Sequence, residues 1–248
     1  MVVAVQQPVA GTWLGVPRSR IESDVRAASA AVAAGTLLGF VINGWGSRLA
    51  MMLLARLNPE VTGRISDDGF RMGQFTLGDT MGLVLFGTIL GAAGGLLYLA
   101  IRPLRLGPPW FQHVALFVGP AVVVGSMLVH TDGIDFRVLH PAWLAIALFV
   151  ALPGVYALSL ALLTERWLAD DAWFRRRPLS HVAPVLVVLL PFWPLAIVVL
   201  VAWGLRSIYL AATDASATTT LAWVARGGLA VVFVLALVNL VGKTLELT

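Results

Sequence analysis

A short stretch between two apolar segments brings two histidines and two carboxylates within eleven residues of one another: His130, Asp132, Asp135 and His140. Imidazole and carboxylate groups are ligands that zinc and manganese accept. The spacing matches no established ligand motif, Asp132-Gly133 is typical of a turn, and His140-Pro141 is typical of a helix start. We therefore predict no metal and no cofactor, with these four residues as the only candidate metal ligands in the sequence.

The same stretch is better explained as half of an external network of charged side chains. The linker after the first apolar segment also carries charges of both signs, and the two linkers are expected at the same end of the protein. The predicted members are Arg48, Arg56, Arg64, Asp67, Asp68, Asp132, Asp135 and Arg137. Exposed ion pairs individually contribute little to stability, so these charges would serve contact with other components better than folding.

Catalytic motifs are missing from the sequence. The nucleophile elbow Gly-x-Ser-x-Gly, the phosphate-binding P-loop, His-Glu-x-x-His and the dinucleotide glycine fingerprint are all absent. No carboxylate pair or Ser-His pair lies deep within an apolar segment, and the lack of cysteine excludes thiolate nucleophiles and thiolate metal sites. The sequence therefore favours a non-enzymatic protein over an enzyme.

Proline interrupts the later apolar segments, where each proline removes a backbone donor and leaves carbonyls in need of a partner or water. Broken helices of this kind line the substrate sites of some transporters. The residues that mark a candidate cavity are Pro153, Pro191, Pro194 and, in the first segment, Asn43. A kinked bundle without a substrate site is the favoured interpretation, because proline is common in membrane helices.

The chain that carries these residues is too apolar for a soluble protein. Of its 248 residues 59% are hydrophobic and 12% are charged, whereas soluble domains have about half and about one quarter. Six apolar segments approach or exceed the roughly 20 residues that cross a bilayer as a helix. They lie near 25–49, 80–101, 111–130, 141–165, 182–205 and 221–242. We predict an all-α membrane protein, with residues 1–248 forming one transmembrane bundle of about six helices.

Arginine is concentrated in alternate linkers, and basic residues mark the cytoplasmic side of a membrane protein. The basic groups assigned to that side are Arg18, Arg20 and Arg26; Arg102 and Arg105; Arg166 and Arg175 to Arg177; and Lys243. Both termini are therefore predicted to be cytoplasmic. The net charge of +4 belongs to this topology, so the predicted partner is the lipid bilayer and not nucleic acid. Lys243 is the only lysine among 17 basic residues, which indicates a GC-rich bacterial genome.

The first helix is predicted to break. If it were helical through Leu57 it would be more than about 50 Å long, which exceeds the thickness of a bilayer. Asn43-Gly44-Trp45-Gly46 is the predicted break, and the chain from Arg48 to Arg56 would then continue as a helix on the outer surface.

The linker after this helix is predicted to form a small external β-hairpin. Ser66-Asp67-Asp68-Gly69 has the composition of a tight turn, and residues 70–76 alternate as a strand does. An irregular loop is the alternative.

Glycines at four-residue spacing predict where two helices meet. The second helix carries Gly87, Gly91 and Gly95, and the first carries Gly35 and Gly39 in the same register. Small residues on one face let backbones approach closely, which is needed in lipid because apolar burial alone does not drive helices together. We predict that helices one and two form a tight antiparallel pair.

Two stretches of the chain are similar to sequences found in a family of multi-pass membrane proteins from actinobacteria whose function is uncharacterised. The stretches are Gly63 to Phe70, and the series Asp135-Phe136, Leu139, Pro141, Leu152-Pro153 and Glu165-Arg166. The resemblance implies an inner-membrane location and supplies no activity. We expect a non-enzymatic accessory or scaffold subunit that contacts other membrane protein subunits; the alternative is a small solute permease or channel that uses the proline-broken helices four and five.

Overall fold

The computed structural model describes residues 12–13, 16–66, 69, 71–131, 135–192 and 215–247. Among these residues, five helices are long and apolar enough to cross a membrane: Ser19–Leu57, Leu77–Leu104, Pro109–Leu128, Ala142–Trp167 and Thr219–Leu247. They correspond to five of the six predicted spans, so the helical fold is confirmed, and their length and composition are those of a multi-pass membrane protein.

The elements follow one another with short connections. Two two-residue strands, β1 (Thr12–Trp13) and β2 (Val16–Pro17), pair antiparallel before the first helix. The α-helices are α1 (Arg18–Leu38), α2 (Ser47–Leu57), α3 (Leu77–Ile101), α4 (Pro109–Leu128), α5 (Asp135–Val138), α6 (Ala142–Trp167), α7 (Trp173–Arg176), α8 (Leu179–Val182) and α9 (Ala215–Leu247). Short 3-10 turns cover Pro59–Val61 and Arg102–Leu104, and a longer 3-10 helix covers Ala183–Phe192.

The first span is continuous where a break was predicted. Between α1 and α2 the chain widens into a π-helix, Gly39–Gly46, and the helical segment Ser19–Leu57 runs through it without interruption. Three of the eight residues of the π-helix are glycine, and two of them, Gly39 and Gly44, lie directly against the backbone of α3. A wider turn is a usual response to an extra residue in a helix that must keep its packing face in register.

The bundle has two distinct ends. At the basic end, α1 begins and α3 and α6 finish, and Arg26 contacts the chain near α7. At the loop end, the α2–α3 linker meets the α4–α6 linker, where Asn58 bonds to His140. The helices α1, α3, α4 and α6 therefore alternate in direction, as short linkers between membrane helices require.

Helix α9 runs parallel to α4. Near its start, Arg226 Nε donates to the carbonyl of Leu104 at the basic end (3.2 Å), and near its finish Lys243 Nζ donates to the carbonyl of Ser126 (2.8 Å) at the loop end. The described chain thus starts its first helix at one end and finishes its last helix at the other. This arrangement does not agree with the prediction that both termini share a side. That prediction assigned Lys243 to the cytoplasmic linkers, whereas its ammonium group binds a helix end inside the bundle.

The predicted fifth span, 182–205, is described only in part. The chain enters through α8 and the 3-10 helix, and Val182, Val185 and Leu189 pack against α1 and α3. Pro191 belongs to this 3-10 helix, while Pro194 and the rest of residues 193–214 lie outside the described residues.

The predicted β-hairpin is not supported. In the described part of the α2–α3 linker there is no strand, and a single antiparallel bridge joins Ile65 to Arg71. The amide of Met72 donates to the carbonyl of Arg64 (2.8 Å) and the amide of Gly63 donates to the carbonyl of Met72 (2.9 Å). A longer ladder does not form because Arg48 binds the carbonyls of Arg71 and Gln74 and turns this chain toward α2. Asp67, Asp68 and Phe70 lie outside the described residues.

Candidate functional site

The glycines of the first two spans lie at one helix crossing. A methyl group built on Gly91 would lie 2.5 Å from Cα of Gly39, and one built on Gly39 would lie 2.5 Å from the carbonyl oxygen of Gly87. Gly35 faces the carbonyl of Gly91, and Gly95 faces Ala31 in the same way. No real side-chain carbon fits at such distances, so the two backbones touch along this seam. Such contact supplies the van der Waals packing that holds helices together in lipid.

Tyr156 of α6 covers the other side of the same glycine-rich stretch. Its hydroxyl donates to the carbonyl of Gly91 (2.6 Å), and its ring lies where a side chain on Gly94 would otherwise be. The tyrosine is buried, and the hydrogen bond to the Gly91 carbonyl satisfies the only polar atom of its side chain. Helix α3 is therefore enclosed by α1 on one face and by α6 on another.

Asn43 lies in the π-helix, opposite Gly87 of α3. Gly87 is about four residues from the middle of the span Leu77–Leu104, so the Asn43 backbone lies about 5 Å from the middle of the bilayer. The residue is partly exposed on the surface of the bundle. Within the described part of the chain its side-chain amide has no hydrogen-bond partner. An amide with two donors and an acceptor is thus left unbonded on the surface of the first span.

Comparison with known proteins yields no relative. No family model, no curated protein and no solved structure matches this chain. Any functional assignment therefore has to come from the chemistry of the described residues.

The residues predicted to mark a cavity are not brought together. Pro153 lies within α6, where the next residue, Gly154, packs so closely on α4 that a methyl group there would be 2.8 Å from the carbonyl oxygen of Phe117. Asn43 lies on the first span and Pro191 in the 3-10 helix, while Pro194 is outside the described residues. A cavity of about 10 Å³ lies near the loop end, lined by Met51, Ser66, Met72, Leu139 and Phe149.

A network around Glu165 closes the basic end. Its carboxylate accepts from the hydroxyl of Tyr98 (2.6 Å), from Nε and Nη2 of Arg102 (2.8 and 2.6 Å) and from Nη2 of Arg105 (2.8 Å). Arg105 also lies over the ring of Tyr98. The fork of Arg102 on one carboxylate is the strongest geometry for such a pair. It joins the end of α3 to the end of α6, and Glu165 accepts three of its four hydrogen bonds at Oε1 and one at Oε2.

Arg48 and Asn58 organise the loop end. Arg48 is fully buried and donates to the backbone carbonyls of Arg71 (3.3 Å) and Gln74, with no carboxylate bonded to it among the described residues. Asn58 is also buried, and its side chain exchanges hydrogen bonds with the backbone of His140 (2.9 and 2.8 Å). The two side chains therefore tie linkers to helices, which is a structural role.

The predicted external charge network remains a prediction. Arg56, Arg64 and Arg137 are exposed at the loop end, and no ion pair joins them to a carboxylate in the described part of the chain. Asp67, Asp68 and Asp132 lie outside that part, and the side chain of Asp135 is not described.

The candidate metal ligands do not form a described cluster. Among the described residues no three histidine, aspartate or glutamate side chains converge as metal ligands would. His130 Nδ1 lies 3.0 Å from the carbonyl oxygen of Leu128, and His140 takes part through its backbone in the bond to Asn58. Asp132 lies outside the described residues, and Asp135 begins α5.

The sequence did not predict which groups the polar residues of the bundle bind. Glu165 was assigned to the end of a helix, but its pairing with Arg102 and Arg105 was not predicted. The signal was available, since these residues lie at the ends of two spans that were predicted to share a side. Tyr156 and Asn58 carried no local signal, because each bonds to a backbone group distant in sequence.

Proposed function

We propose that this chain is a non-enzymatic accessory or scaffold subunit of a complex in the cytoplasmic membrane of a bacterium, and that Asn43 binds a polar group on a helix of another subunit. The supporting observation is the amide of Asn43, which is partly exposed near the middle of the bilayer and has no partner in the described chain. An unsatisfied amide in hydrocarbon is costly, so such residues are usually found at contacts between helices.

Five hydroxyl-bearing residues in the spans differ from Asn43 in one of two ways. The hydroxyls of Thr36, Thr88 and Tyr156 each donate to a carbonyl of the bundle. The hydroxyls of Thr80 and Thr164 have no described partner, but both residues are fully buried and no other protein can reach them. Asn43 is both unbonded and accessible to a second chain. Asn239 of α9 is also exposed and has no described hydrogen bond, but it lies about six residues, or about 9 Å, from the middle of its span, so Asn43 is the deeper of the two amides. A hydrogen bond between helices contributes about 1–2 kcal/mol in model peptides.

We further propose that the basic end is cytoplasmic and that the chain crosses the membrane five times, with the end of α9 outside. Arg226 supports this orientation, because α9 then places its arginine on the same side as Arg102, Arg105 and Arg166. Helix α6 finishes at the basic end, and Arg226 places the first part of α9 at the same end. The connection between the two helices therefore starts and finishes on one side of the membrane. A single crossing at 182–205 does not meet that condition.

The solute permease is the weaker candidate. It requires a pathway at the prolines of the fourth and fifth predicted spans, 141–165 and 182–205. The contact of Gly154 with Phe117 fills the space beside Pro153. A cavity of about 10 Å³ holds about one water molecule and no larger solute. These observations support a packed bundle that acts through its surface.

Replacing Asn43 with leucine should weaken binding of the partner and leave the fold intact. Leucine keeps the size of the side chain and removes the amide, so we expect association to weaken about fivefold or more, the equivalent of one hydrogen bond between membrane helices. The measurement is the molar ratio of co-purified protein after extraction in mild detergent, with partners identified by mass spectrometry.

Two variants serve as controls for this experiment. Asn43→Gln keeps an amide and should retain the partner, and Val41→Leu changes a neighbouring exposed apolar residue and should behave as the parent protein does. Recovery of a homo-oligomer without any second protein, or equal yields of partner from Asn43→Leu and the parent, would count against the proposal.

A further inference from the structure

We propose that the groove beside α7, lined by Asp171, Trp173, Arg176 and Arg177, binds the phosphate of an anionic phospholipid of the inner leaflet. The groove is shallow and open to the surface, and the space that its lining residues border is about 490 Å³, which is enough for a lipid headgroup. It lies at the basic end, about 40 residues along the chain from any part of α9 and far from Asn43. The inference is independent of the proposed partner helix, and its assignment to the inner leaflet rests on the proposed orientation with the basic end in the cytoplasm.

The groove is held in place by α1. Arg26 donates to the carbonyls of Phe174 (3.1 Å) and Arg175 (3.3 Å) and also to the carbonyl of Arg177. Nη1 of Arg26 thus shares its two hydrogens among three carbonyls of the turn from which the side chains of the groove project. Phe174 is buried beneath the turn and stacks on Trp167, with ring centroids 5.3 Å apart. The arginines of the groove consequently extend from a fixed backbone.

The depth of the groove matches that of lipid phosphates. Gly91, at the middle of the second span, touches α1 between Gly35 and Gly39, which marks the mid-membrane level on α1. Arg26 is about eleven residues from that level, a distance of about 17 Å along the helix. The hydrocarbon of a bilayer ends about 15 Å from its middle, and the phosphates lie just beyond. Trp173, which is about half exposed, is typical of this interfacial level.

The charges of the groove favour an anion. Arg175 is paired with Asp170 (3.4 Å), whereas neither Arg176 nor Arg177 has a carboxylate partner in the described part of the chain. With Asp171 included, the lining residues carry one net positive charge, which one phosphate diester balances. Basic residues at the membrane surface attract anionic lipids, and an arginine pair can hold one phosphate through several charge-assisted hydrogen bonds. A lipid that bears a single negative charge is therefore the ligand that fits.

Native mass spectrometry of the detergent-solubilised protein tests this inference. Phosphatidylglycerol, phosphatidylethanolamine and phosphatidylcholine with matched acyl chains are titrated separately against the parent protein and an Arg176→Gln/Arg177→Gln variant. We expect phosphatidylglycerol to bind best to the parent protein, and its affinity to fall about tenfold or more in the variant, since two surface charges are lost.

The matched control is an Arg64→Gln/Arg137→Gln variant, which loses the same charge at the loop end and should bind phosphatidylglycerol as the parent protein does. Equal losses in the two double variants would overturn the inference, since binding would then follow net charge alone. Preference for phosphatidylethanolamine that disappears in Asp171→Asn would also overturn it. Displacement of phosphatidylglycerol by millimolar inorganic phosphate would mean a site for free anions, which contradicts a lipid site.

Discussion

Replacing Gly91 with leucine should prevent the first two spans from assembling. The position has no room for even one carbon, because a methyl group there would lie 2.5 Å from Cα of Gly39, and backbone atoms cannot move aside as a flexible side chain can. Overpacking a core commonly costs about 1–3 kcal/mol, and a branched side chain between two touching backbones should exceed that range. We expect loss of the monodisperse peak in size-exclusion chromatography and a large fall in the thermal unfolding temperature.

Gly78→Leu is the matched control, since it makes the same substitution on the same helix. Gly78 is exposed in the first turn of α3, and nothing lies within 4 Å of the position that its side chain would take. This variant should purify and unfold as the parent protein does. If the two variants behaved alike, the backbone contact between α1 and α3 would not be the basis of the assembly.

A cysteine placed at Glu246 should react with a membrane-impermeant maleimide added to intact cells. The proposed five crossings put the exposed end of α9 outside, so we expect labelling that is complete without permeabilisation. The chain contains no cysteine, so each variant carries a single reactive thiol and the result is close to all or none. The readout is the mass shift or fluorescence of the purified protein.

Two further single-cysteine variants calibrate the two sides. Glu60→Cys, in the α2–α3 linker at the loop end, should be labelled from outside, and Asp170→Cys, at the basic end, should be labelled only after permeabilisation. Labelling at position 246 that requires permeabilisation, as at position 170, would restore the topology with both termini inside and contradict the direction of α9.

Hydropathy was sufficient to locate five spans because lipid leaves a helix little choice of length or composition. The direction of α9 across the membrane could not be predicted from hydropathy. Its flanking charges are few, and the prediction gave weight to Lys243 while it treated Arg226 as part of an apolar segment. In the structure Arg226 binds Leu104 and Lys243 binds Ser126, so the direction depends on tertiary contacts with α4 and its neighbours.

The π-helix shows a second limit of sequence reasoning. Asn43 and the adjacent glycines indicated an irregular backbone, and a break was the simplest response to a helix longer than the bilayer. The structure keeps the helix continuous because Gly39 and Gly44 have to face α3 together, and a wider turn restores that register. Asn43 was singled out as a cavity residue. Its exposure on the surface of the bundle could be seen only once the packing face of the helix was known.

Site-specific photo-cross-linking at position 43 tests the central claim most directly. A photoreactive amino acid replaces Asn43 in the protein as expressed in its native membrane, and another replaces Leu85, an exposed residue of α3 at a similar depth, as the comparison. We predict a discrete adduct of position 43 with a second, different membrane polypeptide, and no such adduct from position 85. Adducts with lipid alone, or with another copy of this chain alone, would contradict the account of an accessory subunit that binds its partner through Asn43.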